Sequence, residues 1–260
     1  MKIQISLAPA AVTQFLLRTV ACLVGLSLLS QMAVYLLPDY PFRDFLARAF
    51  SLDAEQNVPT VYSVLTLLFS SILLGAIAHA KNLDSSRYGH HWRILSFIFL
   101  YLSVDEGGQL HELLVYPTQK LLNATGFLYF SWVIPFGLMV AIFLASYTKF
   151  LFHLPVATRN LFVAASVLYI GGALGMEMLG GNEAYQVGRH TIAYLIMATF
   201  EESCEMLGII VFIHALMCYI KTHLGGLNWD ISLGTNRQLA ESQNIPLATV
   251  GEPTNSNIRS

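Results

Sequence analysis

Asp105, Glu106, His111 and Glu112 lie in LSVDEGGQLHELL, directly after the apolar run WRILSFIFLY. Glu177 stands in GGALGMEMLGG, and Glu201, Glu202 and Glu205 crowd the stretch TFEESCEMLG. His190 precedes the last group by eleven residues. Carboxylate oxygens and imidazole nitrogens are donors for zinc, iron or manganese. The candidate ligands are therefore Asp105, Glu106, His111, Glu112, Glu177, His190, Glu201 and Glu205. Glu106 or Glu202 is the candidate general acid or base beside such an ion. The spacing is not that of bundle di-iron sites, which combine glutamates with Glu-x-x-His. Acids in a membrane also serve as proton relays, or bond helix to helix while protonated.

These acids have no basic partner in their own segments. No Lys or Arg lies between Arg93 and Lys120, between Arg159 and Arg189, or between Arg189 and Lys221. A charged side chain at mid-bilayer costs about 2.5–3.5 kcal/mol even on the lenient insertion scale. The group must be protonated, hydrated in a cavity, or neutralised by a cation.

Helical phase gives the directions. Over a continuous helix, Tyr101, Asp105, Gln109, Glu112 and Tyr116 form one stripe, and His111 points away from it. His190, Tyr194, Met197, Glu201, Glu205 and Gly208 form a second. At 1.5 Å per residue, Glu106 lies about 20 Å from Arg93 and Glu201 about 18 Å from Arg189. The two stripes are expected to face each other across one outward-opening cavity.

Six apolar segments must position them: about 19–37, 59–79, 93–117, 126–148, 160–180 and 190–220. Of the 260 residues 55% are hydrophobic and 12% charged, about half the charge of an average soluble domain. The expected fold is an all-α polytopic membrane bundle of six transmembrane helices. Residues 1–18 are expected to form an interfacial segment, 19–220 the bundle, and 221–260 a disordered cytoplasmic tail. Phe42, Phe45, Leu46 and Phe50 mark a short amphipathic helix resting on the membrane surface. Lys and Arg collect on the side of both termini, which places the termini in the cytoplasm. Pro135 is expected to kink the fourth span. The net charge of −2 excludes a general nucleic-acid binder. Cys22, Cys204 and Cys218 sit in apolar runs and give no disulfide framework.

The Asp-Glu-x4-His-Glu helix followed by a Glu-Glu-x-x-Glu-Met-x-Gly helix resembles a pattern in uncharacterised bacterial multi-pass membrane proteins, over about residues 93–215. That resemblance implies an inner (plasma) membrane location and no established reaction. Alkaline-ceramidase-like hydrolases are similar in being polytopic with buried polar groups, but their histidine-rich zinc pattern is missing here. The sequence points to an intramembrane divalent-metal site, acting on a lipid or other apolar substrate if it is an enzyme. The alternatives are a proton- or cation-coupled transporter and a structural protein with protonated interhelical acids.

Overall fold

The computed structural model describes residues 8–83 and 87–225. The expected interfacial segment lies outside these residues up to 7, and the expected tail from 226 on. Helices follow one another throughout, and no strand occurs among the described residues. The long elements are α1 (Pro9–Leu36), the short α2 (Arg43–Phe50), α3 (Val58–Leu83), α4 (Gly89–Gly108) and the short α5 (Val115–Leu122). After them come α6 (Val133–His153), α7 (Val156–Ile170), α8 (Glu177–Gln186) and α9 (Ile192–His223). Among the described residues five stretches are long and apolar enough to cross a membrane: Pro9–Val34, Val58–Asn82, Val133–His153, Val156–Gln186 and Ile192–His223. This is compatible with a multi-pass membrane protein.

The expected span 93–117 is two elements. Helix α4 stops at Gly108, where Gln109 takes a left-handed conformation (φ 56°). Gly107 and Gly108 are poor helix formers, and Asp105 fixes the break. Its Oδ1 accepts the His111 backbone N–H at 2.8 Å, and its Oδ2 meets His111 Nδ1 at 3.1 Å. A 3-10 turn, His111–Leu114, then leads into α5. The single stripe from Tyr101 to Tyr116 therefore does not exist, and His111 faces Asp105 instead of pointing away.

Pro135 does not kink a helix either. Helix α6 starts at Val133, so Pro135 sits in the first turn, where its missing N–H leaves no bond unmade. Helix α1 is continuous from Pro9, so the later part of the expected interfacial segment and the first expected span form one element. Helix α2 has the expected amphipathic character, with Phe42 and Phe45 exposed beside it.

Helix α9 is the axis. It packs against α1, α3, α7 and α8, and its second half is apolar all round, as a central helix must be. Ile213, Ala215 and Leu216 there have no exposed surface. Gly208 lets α7 touch it: a Cβ at that position would stand 2.8 Å from the Tyr169 nitrogen and 3.0 Å from the Ala165 carbonyl oxygen. Aromatic rings fill the same half of the bundle. Phe99 stacks on Phe212 at 4.5 Å, and Trp92 meets Phe150 at 5.0 Å and Tyr219 at 5.1 Å.

Helices α3 and α4 form the most extensive pair. Small polar residues join them: Ser71 Oγ donates to the Ser96 carbonyl at 2.7 Å, and Ser96 Oγ returns a bond to the Ser71 carbonyl at 2.8 Å. Ser71→Ala and Ser96→Ala are each expected to cost about 0.6 kcal/mol, the average for an interhelical bond in a membrane. Thermal melting in detergent checks this, and a double variant costing no more than one single would confirm that the two bonds act as a unit.

Candidate functional site

The first half of α9 is built differently from the second. Thr191 caps it, its Oγ1 accepting the Tyr194 N–H at 3.0 Å, so the helix starts at Ile192. From there Tyr194, Ala198, Glu201, Glu202 and Glu205 line a cavity of about 430 Å³. Helix α4 contributes Leu102, Asp105 and Glu106 to its wall, and the following turn contributes His111 and Glu112. Phe136 and Val140 come from α6, Tyr169 and Ile170 from α7, and Glu177 from the start of α8.

Between α7 and α8 the chain runs as a π-helix, Gly171–Met176. Such bulges are frequent at functional sites. Its Gly172 allows a close approach to α9, since a Cβ there would lie 2.9 Å from the Glu201 carbonyl oxygen. The extra residue sets Glu177 against the cavity. Trp132 Nε1 donates to Glu177 Oε1 at 2.9 Å, and the Trp132 ring lies 4.7 Å from that of His111. On its other side the Glu177 carboxyl meets that of Glu201. Two carboxyl groups share such a contact only with a proton or a cation between them. A run of polar groups thus joins Asp105, His111, Trp132, Glu177 and Glu201.

The segment after α2 turns inward rather than lying flat. Asn57 Nδ2 donates to the carbonyls of Ser51 at 2.7 Å and Ala54 at 2.6 Å, and Ser27 Oγ accepts the Leu52 N–H at 3.2 Å. Leu52 is buried. The turn brings Asp53 and Glu55 to the cavity wall, and Tyr194 donates its hydroxyl to Asp53 Oδ1 at 3.0 Å.

Burial, and next the nearby Glu112 carboxylate, push the Glu55 carboxyl above the usual range. The folded chain therefore keeps this proton to higher pH than the unfolded chain does. Below the ordinary carboxylate range both hold it. As pH rises through that range toward the pKa of Glu55 in the fold, the unfolded chain ionises first and the fold loses stability. Glu55→Gln is expected to gain melting temperature over the native chain near neutral pH and to lose that advantage in acid. An advantage independent of pH would contradict the assignment.

Among the described residues Arg189 is the one Lys or Arg lining the cavity, which also carries the carboxyls of Asp53, Glu55, Asp105, Glu106, Glu112, Glu177, Glu201, Glu202 and Glu205. Its guanidinium lies over the Phe130 ring, 4.5 Å from the centroid. Arg189→Gln is expected to destabilise by about 0.5–1 kcal/mol through the lost ring contact. The charge it removes is exposed, so the further loss is expected to shrink in melting experiments at rising salt.

Of the residues expected from sequence, Asp105, Glu106, His111, Glu112, Glu177, Glu201 and Glu205 line this one cavity, with Glu202. His190 does not. It is exposed in the turn before Thr191, outside the helix whose phase was to aim it inward. The donors have the chemistry of a zinc, iron or manganese site. Among the described residues no group of three His, Cys, Asp or Glu side chains is gathered as a ligand set. Sequence reasoning missed Asp53 and Glu55, which lie in a loop with no periodicity. It also missed Tyr169 and the place of Arg189 at the cavity.

Over residues 16–220 the chain matches the model of a family described as a domain of unknown function (DUF8692), and it belongs to that family. No curated protein and no solved structure matches it.

Proposed function

We propose that this DUF8692 member is a multi-pass membrane protein that takes up cations, protons foremost, into its acidic cavity as part of proton- or cation-coupled transport. The observation that carries the reading is the wall itself: nine carboxyl groups, named above, against a single Arg and a single His. At 20 residues, about 30 Å, α4 is long enough to be the sixth crossing despite its polar end. Counted with the five apolar stretches, it leaves both termini on the cytoplasmic side. The Lys and Arg distribution supports that side, and a bacterial inner membrane is proposed on the Asp-Glu-x4-His-Glu and Glu-Glu-x-x-Glu-Met-x-Gly pattern alone. The cavity then opens outward, with the aromatic rings around Trp92 and Phe212 closing the cytoplasmic half.

Proteoliposomes containing a pH dye test the function. After an external acid step, vesicles with the native chain are expected to acidify faster than empty vesicles and faster than vesicles with Glu201→Gln. Equal rates in all three would remove the reading. Elemental analysis of the same preparation decides the occupant, since stoichiometric zinc, iron or manganese would replace protons with a metal. Reporter fusions after Lys149 should report cytoplasm, and fusions at Lys120 the outside.

A further inference from the structure

A second concavity, of about 590 Å³, lies beside the acidic cavity. Gln31 and Val34 of α1, Asp44 and Arg48 of α2, and Gln109 bound it. Two residues line both spaces, Ala54 and Glu55. Ala54 has no side chain able to select an ion, so Glu55 is the one charged group that the two walls share among the described residues.

That carboxyl is unusual in the molecule. Its Oε2 is buried and has no hydrogen-bond partner. A buried unpaired oxygen is expensive, and more so when it carries charge. The groups around it relieve it only in part: Gln109 hydrogen-bonds the carboxyl and His111 stands nearby, but Glu112, Asp105 and Glu106 repel it from the inner side, and Oε2 itself stays unpaired, with Asp44 and Arg48 facing the outer space. A cation at this point satisfies the oxygen and moves on toward a wall richer in carboxylates.

We propose that Glu55 is the entry residue of the cavity: small cations reach it from the outer concavity and are selected over anions at its carboxylate. This rests on the cation reading of the cavity. Clefts lined with one sign of charge raise the entry rate of opposite ions by about 10-fold or more, so reversing the charge at the neck should be felt as a rate.

Thiol reagents of matched size and opposite charge read that rate. The target is Ala173→Cys on the cavity wall, in a chain with Cys22, Cys204 and Cys218 changed to Ser. Aminoethyl methanethiosulfonate, a cation, is expected to label it faster than the anionic sulfonatoethyl reagent. Adding Glu55→Lys is expected to slow the cationic reagent about tenfold. Adding Glu55→Gln, which keeps the shape, is expected to slow it less. Unchanged cationic labelling in both Glu55 variants would overturn the entry route and leave the cavity's role standing. Equal labelling by the two reagents with Glu55 intact would overturn the cation reading itself. No labelling by either reagent would overturn the route from the outer concavity.

Discussion

Trp92→Ala is expected to cost about 3–5 kcal/mol of stability, the range for deleting a large aromatic side chain from a packed interior. Trp92 is 2% exposed and touches rings from three other helices, Phe150 of α6, Phe162 of α7 and Tyr219 of α9. Helix α6 is tied to the start of α4 by the Tyr147 hydroxyl, which donates to the His91 carbonyl at 3.1 Å, and by Phe150 stacked on His91, but most of its surface faces outward and Trp92 carries its contact with the rings of α7 and α9. Losing the indole removes the dispersion contacts that hold it there. The void also lies in the half of the bundle that, in the proposed orientation, closes the cavity from the cytoplasmic side. Two results are expected together: a large drop in melting temperature in detergent, and a faster acid leak in the dye-loaded vesicles. Trp92→Phe should recover most of both. A Trp92→Ala chain that melts like the native one would show that the aromatic cluster is not the plug described here.

Gly208→Ala is the second large effect, expected at about 1–3 kcal/mol as an overpacking cost. The added Cβ meets backbone atoms, the Tyr169 nitrogen at 2.8 Å and the Ala165 carbonyl at 3.0 Å, so no side-chain rotation relieves it. Helices α7 and α9 must separate. Tyr169 lines the cavity, and Glu205 stands one turn before Gly208 on α9, so the separation also shifts the cavity wall. Gly75→Ala is the control. Its Cβ meets one side-chain atom, Ser96 Oγ at 3.3 Å, so the most it can disturb is that hydroxyl's bond to the Ser71 carbonyl, about 0.6 kcal/mol. Melting temperatures in detergent separate the two, and equal losses at Gly75 and Gly208 would contradict the close approach as the cause.

Much of the bundle was legible because apolar length and helical phase are local properties. Glu201, Glu202, Glu205 and Tyr194 share a wall because α9 runs unbroken from its Thr191 cap, so a 100° step per residue places them correctly. The same arithmetic failed wherever the helix ended. At Gln109 the left-handed turn reverses the chain and brings His111 onto Asp105, and no phase count crosses such a turn. The Gly107–Gly108 pair was the available warning. His190 failed for a related reason: a Thr just before an apolar run is an N-cap signal, and it puts His190 outside the helix. Asp53 and Glu55 had no such signal. Their position depends on Asn57 and Ser27 tying down a loop, and contacts of that kind join residues distant in the sequence. The convergence of ligand types on one cavity was legible, but the ligand distances were not, because spacing along a helix fixes a face and leaves the reach of each side chain open.

In the proposed function, protons enter the carboxyl-lined cavity from one side of a membrane. Charge movement after a rapid pH drop over membrane-adsorbed proteoliposomes measures that entry directly, without a transported substrate. The native chain is expected to give a transient inward current that decays as the cavity fills. Glu201→Gln with Glu205→Gln is expected to lose most of it while melting as a folded protein. No current above that of empty liposomes, or one of equal size in the native and doubly substituted chains, would contradict the claim.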